Sequence, residues 1–313
     1  MNPRIKGVAV AAVLAVMAVM PYVLDPYRLD LLSGGLAYGL MAASLAFLVG
    51  HGGLPSLGHA AFLGVGAYAA GLTAKHLTAN ALGQLLVAIA AGVVFALLTG
   101  WFAVRTKGFF FLMFTLAIGE IAVQAATRST RVTGGDNGLS GIPKAELFGL
   151  DAVVPYVAAF YWWALAVVAL GFGALVLLRN SPLGRAVAGA RENETRMAAL
   201  GYHVTGVRLA AVVIAGAVCA AGGALVEQKD TFVAPTHLEI GVSVLLLVMV
   251  LLGGRDSLAG PLVAGVALIV LRAMTSTALG DKWLLVEGAL FVICVYLLPG
   301  GLQGLWRRRA QAA

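Results

Sequence analysis

Four ionisable residues stand in or at the edge of long apolar runs: His59, Glu120, Glu227 and Glu287. Ionisable groups inside membrane segments are costly, so each is a candidate for function by default. Glu120 lies mid-run and either holds a helix–helix hydrogen bond or lines a solute path. Glu227, with Lys229 close by, reads as an outer-interface residue, and Glu287 is similar. His59 has no second His or carboxylate at metal-ligand spacing, which argues against a metal site. A gate, or a hydrogen bond to neighbouring backbone, suits it better. Gly64, Gly66, Ala67, Ala69, Ala70 and Gly71 follow it and make either a close-packing face or a flexible, path-lining helix. Catalysis finds no support: the chain has no H-E-x-x-H, no nucleophile elbow and no carboxylate pair. It has no G-x-x-x-x-G-K-[ST] loop either, so it cannot carry its own ATPase.

The second set of chemistry-bearing residues is a polar stretch, 179–207. Ser181-Pro182 reads as an N-cap followed by Pro at the first helical position. Ala186, Ala190, Met197, Ala198 and Leu200 supply an apolar face, and Arg191, Glu192, Glu194 and Arg196 a polar one. Gly201 then stops the helix. Such a helix either docks in a partner's groove or lies solvated at the interface. A second loop, 128–152, carries Thr133-Gly134-Gly135-Asp136-Asn137-Gly138. Gly, Asp and Asn in that order make a tight turn, or a surface guarding a mouth.

The elements that must position these residues follow from composition. Of 313 residues, 61% are apolar and 11% charged, with a mean hydropathy of +0.95. So few charges cannot cover a soluble surface of this size. Forty glycines match close helix packing in membranes. The expected fold is an all-α polytopic membrane protein, one transmembrane domain over 1–313. Apolar runs give ten candidate spans near 7–24, 31–50, 57–74, 82–104, 109–127, 153–178, 208–227, 240–254, 257–275 and 283–302. The third, eighth and ninth are the weakest, and the third and eighth are either full crossings or re-entrant or tilted segments. Pro21, Tyr22 and Asp25 stand where a cleavage site would be, so the first run reads as a retained helix.

Basic residues favour one side. Arg4, Lys6, Arg105, Lys107, Arg179, Arg185, Arg191, Arg196, Arg208, Arg255 and Arg307 to Arg309 fall in inner segments if both ends are cytoplasmic. The net charge of +7 is spread over loops, with no basic amphipathic stripe for nucleic acid. Cys219 and Cys294 lie in apolar runs and read as buried free thiols. Phe109, Phe110, Phe111 and Phe114 open the fifth run, as interface anchors or as path lining.

Several ordered motifs carry a resemblance. Gly184-Arg185-Ala186, then Arg191-Glu192-Asn193-Glu194, then Ala198-Ala199-Leu200-Gly201 resembles the cytoplasmic coupling motif of permeases in the branched-chain amino-acid ABC importer family, the LivM type. Ser56-Leu57-Gly58-His59-Ala60-Ala61-Phe62, Gly64, Gly66-Ala67-Tyr68, Thr115-Leu116-Ala117, Gly119-Glu120-Ile121, the 133–139 turn and Gly253-Gly254 to Gly260-Pro261 are similar too. Arg255-Asp256 departs from the pattern, which has smaller or less charged residues there.

The resemblance implies a bacterial inner-membrane importer. A second, related permease pairs with this chain. Two ATPase subunits bind ATP and Mg and dock on the cytoplasmic face, and an extracytoplasmic binding protein delivers substrate. It implies ATPase coupling through Arg185, Arg191, Glu192, Asn193, Glu194, Ala198 and Gly201. It implies a path past His59, Gly64, Gly66, Tyr68, Phe111, Thr115 and Glu120. Gly134, Gly135, Asp136, Asn137 and Gly138 would face the binding protein or outer mouth. Leucine, isoleucine and valine are the family's substrates, with urea, short amides and aromatic acids carried by related permeases. An ion-coupled secondary transporter is the alternative mechanism; it would need several mid-membrane carboxylates, and only Glu120 qualifies convincingly.

Overall fold

The computed structural model describes residues 16–147, 149, 154–279 and 288–289. These are helical, with no strand among the described residues. Residues 16–23 form α1. There follow α2 (Pro26–Ala46, continued by a π turn, Phe47–His51), α3 (His59–His76), α4 (Ala81–Ala103), α5 (Phe109–Arg128) and the short α6 (Thr130–Thr133). Then come α7 (Tyr156–Asn180), α8 (Pro182–Glu192), α9 (Glu194–Ala199), α10 (Val204–Asp230), α11 (Ile240–Gly253) and α12 (Ala259–Leu279).

Five segments are long and apolar enough to cross a membrane: Pro26–His51, α4, α5, α7 and α10. Their bounds fall within a few residues of five of the ten runs. Half of the first run, most of the tenth with Glu287 and Cys294, and the Arg307–Arg309 triplet lie outside the described residues.

Two weak runs of the sequence have a physical explanation. At 14 residues α11 rises only about 21 Å, short of a core about 30 Å thick. An irregular stretch precedes it, and another, 52–58, precedes α3. Both lead into the bundle interior, where the two helix starts meet. Ala60 N–H donates to Ser243 Oγ at 2.9 Å, and Leu238 seats against Gly64. Irregular backbone is tolerated at depth only where protein satisfies its polar groups. That is met here: Leu57 N–H donates to Thr115 Oγ1 (3.2 Å) and Gly58 N–H to Ser56 Oγ (3.3 Å).

Close glycine contacts set the centre. Gly66 of α3 meets the backbone of Ala220 on α10, and Gly223 of α10 meets the backbone of Leu63 and Ala67. Gly92 lets α4 approach α10 at Gly216 and Ala220, and Gly39 with Gly265 brings α2 against α12. With no hydrophobic drive between helices in lipid, such approach maximises dispersion contact.

The loops sort into two ends. One end gathers His51, the 104–108 turn, α8–α9 and the Arg255-Asp256 turn, joined by His51 Nε2 and Gly184 O (2.9 Å) and by Arg191 with Asp256 (3.9 Å). The other joins Lys229 to Asp30 (3.0 Å), Ala81 N–H to Glu146 O (3.1 Å) and Leu139 N–H to Val233 O (2.7 Å). Among the described residues, the loops assigned inside by sequence share one end, and those assigned outside share the other; Arg4, Lys6 and Arg307 to Arg309 lie outside the described residues.

Candidate functional site

The 179–207 segment folds as two helices, not one. Ser181 Oγ accepts from Gly184 N–H (3.2 Å), so the expected start is present. At Asn193 the backbone turns extended (φ −155°, ψ 99°) and ends α8. The Asn193 side chain then caps α9, accepting from Arg196 N–H at 2.9 Å. Helical periodicity runs through this point, which is why the break is invisible in the pattern. Gly201 takes φ +86°, and its N–H donates to Ala198 O, closing α9.

Burial splits the apolar face. Ala186 and Ala190 are buried against the bundle, and Met197 packs on Gly189. Ala198 and Ala199 are exposed, as are Leu200 and Tyr202, at 67% and 50%. Arg185 (whose guanidinium donates to Asn180 O), Glu192 and Arg196 are exposed as well. The segment is clamped on one side and offers an apolar and charged surface on the other.

The clamp is ionic. Glu194, the first residue of α9, accepts from Lys107 Nζ at 2.9 Å and from both terminal nitrogens of Arg208 at 3.3 and 3.4 Å. Lys107 belongs to the α4–α5 turn and Arg208 to α10, so one carboxylate ties α9 to the starts of two spanning helices. Arg191 of α8 donates to Gly50 O at the end of the π turn. Lys107 and Arg208 were not singled out by sequence; their only signal is their place among the inner basic residues.

The Lys107 hydrogen bond, then the Arg208 guanidinium, hold the Glu194 carboxyl below its ordinary range against some opposing burial. Its folded-state pKa is depressed, so the clamp's contribution is present above the ordinary carboxylate range and is lost as pH falls through the folded value. Glu194→Gln is expected to cost about 1 kcal/mol at neutral pH. The two thermal midpoints should converge on acidification; a gap unchanged at low pH would contradict the assignment.

The proposed path residues separate into two groups. His59 is fully buried, with Nε2 2.8 Å from Ser44 Oγ, while Ser44 Oγ donates to Met41 O. Gly64, Gly66, Tyr68, Phe111 and Thr115 are buried between helices. Phe109 and Phe110, in contrast, are 70% and 74% exposed. Glu120 is exposed on the outer face of α5, about 17 Å from the helix start and so near mid-depth. Gln124 Nε2 donates to Glu120 Oε1 at 3.2 Å. Ala117, Glu120, Gln124 and Arg128 line one open groove.

Glu227 lies in the last turn of α10, at the end that also holds Lys229 and Asp30, but turned into the bundle. It is 1% exposed, facing Gly71 of α3, and Lys229 turns instead to Asp30 and Asp230. Its neighbour Gln228 donates to Gln84 Oε1 (3.0 Å) and Ala81 O (2.9 Å), and accepts from Trp163 Nε1 (2.8 Å). Cys219 is a buried free thiol.

The 133–138 turn is built on left-handed backbone at Gly134, Gly135 and Gly138. Asp136 and Asn137 are exposed at its tip. Leu139 and Val233 exchange backbone hydrogen bonds at 2.7 and 3.2 Å, which fastens the turn to the stretch leading into α11.

Comparison with known proteins matches residues 27–295 to the family model for the branched-chain amino acid transport system / permease component. The chain is 30% identical to the high-affinity branched-chain amino acid transport system permease protein LivM of Salmonella typhimurium, covering 97% of this chain and 78% of that protein. It is 28% identical to the protein of the same name from Escherichia coli, covering 95% and 74%. A probable branched-chain amino acid transport permease protein LivM of Methanocaldococcus jannaschii is 26% identical over 60% of this chain and 57% of its own length. No solved structure matches. With its apolar helices, buried glycine contacts and near full-length match, the chain is a multi-pass membrane protein that belongs to the family of branched-chain amino acid transport system permease components.

Proposed function

We propose that this chain is one of two permease subunits of an ATP-driven importer of branched-chain or other hydrophobic amino acids in a bacterial inner membrane. Its ten spans would place both termini in the cytoplasm. The observation that carries the path is Glu120. A carboxylate exposed at mid-depth cannot face hydrocarbon without a large penalty. The α5 face with Gln124 and Arg128 therefore turns toward the second permease and a hydrated path between the two.

Energy enters at the other exposed surface. Partner ATPases bind ATP and Mg and hold the α8–α9 segment through Arg185, Glu192, Ala198 and the apolar step at Leu200 and Tyr202. The Glu194 clamp passes their motion to the α4–α5 turn and α10. Gly108 in that turn has φ +54° with open space around it, which suits a hinge ahead of α5. A partner can shift this equilibrium only through contacts that differ between its two states, and Glu194 is placed to make or break such contacts. A binding protein would dock at the opposite end, over Asp136 and Asn137.

Gly201→Val is expected to weaken the end of α9, since a branched residue at that φ costs about 1–2 kcal/mol. ATP hydrolysed per amino acid moved should rise while membrane insertion is unchanged; an unaltered ratio would argue against the coupling role.

The reading as a whole is tested by purifying the chain with its genomic neighbours in mild detergent. Co-purifying ATPases whose rate rises with binding protein plus leucine are expected. ATPases stimulated by urea, an amide or an aromatic acid instead would change the substrate. An intact complex with no ATPase would favour an ion-coupled carrier.

A further inference from the structure

At the clamped end, three guanidiniums line one pocket. Arg179 ends α7, Arg191 lies on α8 and Arg255 sits in the α11–α12 turn, around a pocket of about 80 Å³ with Gly50, His51 and Asp256. Among the described residues lining it, Asp256 is the one carboxylate, 3.9 Å from Arg191. Arg191 is further occupied by Gly50 O. Among the described residues Arg179 and Arg255 make no hydrogen bond or ion pair, so both forked donor groups face a mainly polar cavity.

Guanidinium forks suit phosphate oxygens, which they can engage bidentately. The volume equals that of only a few waters, enough for one phosphate group and too small for a nucleotide. The approach to the pocket favours a lipid. The outer surface of α7 is apolar and open, with Leu170 75% and Leu177 74% exposed, and Arg179 lies at the inner end of the same helix, on its bundle-facing side. A phospholipid lying along α7 would bring its phosphate to that level. Basic pockets between helices at the inner membrane face are suited to anionic headgroups.

We infer that the pocket between Arg179, Arg191 and Arg255 is a binding site for the phosphate of an anionic phospholipid whose chains lie along α7. Because Arg191 belongs to α8, the occupied site braces the clamped side of that helix. Neither the family match nor the transport reading requires this site.

The test is native mass spectrometry of the full chain, released from detergent with phosphatidylglycerol or phosphatidylcholine added. Preferential retention of phosphatidylglycerol is expected. The double variant Arg179→Gln/Arg255→Gln should bind it about thirtyfold more weakly. Arg105→Gln/Arg196→Gln, basic residues away from the pocket, should bind as the wild type does. Asp256→Asn, which removes the one opposing charge, should bind more tightly. Thermal midpoints of all variants in phosphatidylcholine check that the fold is kept. Equal retention of the two lipids, or equal loss in the control variant, would overturn the site. Displacement of phosphatidylglycerol by equimolar inorganic phosphate would overturn the lipid in favour of a free anion. Unchanged lipid retention in the double variant, with loss of co-purifying ATPase, would reassign the arginines to a protein partner.

Discussion

Gly66→Ala is expected to remove most of the folded protein from detergent extracts, whereas Gly173→Ala is not. A Cβ at Gly66 would run into the backbone of Ala220, which is itself in the middle of α10. No side chain can swing aside there; the two helices must part, and the reciprocal contact of Gly223 with Leu63 and Ala67 is lost with them. Overpacking of this kind reaches about 3 kcal/mol or more. Gly173 of α7 has open space around it, so alanine there should be neutral or stabilise by about 0.5–1 kcal/mol through reduced backbone entropy. The comparison is read as the monodisperse fraction on size exclusion and the thermal midpoint. Equal behaviour of the two variants would contradict the α3–α10 contact as the centre of the fold.

Glu120→Leu should behave in the opposite way: stable protein, little transport. The side chain is exposed and bonded only to Gln124 among the described residues, so its removal leaves the packing of this chain intact. A charge-assisted hydrogen bond to a passing ammonium group, lost with the carboxylate, lowers uptake about thirtyfold. Assembly with the second permease, measured by co-purification, should persist. Glu120→Gln keeps a polar group in the groove and should retain part of the activity. Uptake by Glu120→Leu at the wild-type rate would remove α5 from the path.

Much of this arrangement was legible in the sequence, and the exceptions have physical causes. Glu120 stood out because a carboxylate inside an apolar run is visible in one dimension. The start of α8 at Ser181-Pro182 and the stop at Gly201 were legible because caps are local. The break at Asn193 was not, since Asn also fits a polar helical face and its cap bond appears only in three dimensions. Lys107 and Arg208 meet Glu194 from distant parts of the chain, and no sequence spacing encodes that meeting. The inward turn of Glu227 was hidden for a related reason. A carboxylate two residues from Lys229 suggests a shared interface, but Lys229 pairs across the bundle with Asp30 while Glu227 turns inward. In the sequence the third run, now α3, stood out for its Gly and His, and the eighth, now α11, for its short length. Hydropathy could not indicate that the two weak segments meet each other, through Ala60 and Ser243.

The pH dependence of the Glu194 clamp, the Gly201 variant and the phospholipid site each probe one joint of the molecule. In the proposed mechanism, ATP-driven motion entering at α8–α9 moves amino acid past the α5 face. It is tested most directly by uptake of radiolabelled leucine into proteoliposomes holding this chain with its partner permease and ATPases, with binding protein outside and ATP inside. The expected result is accumulation that requires both ATP and the binding protein, and that Lys107→Gln sharply reduces while ATP hydrolysis continues. Accumulation driven by a proton or sodium gradient without ATP would contradict it.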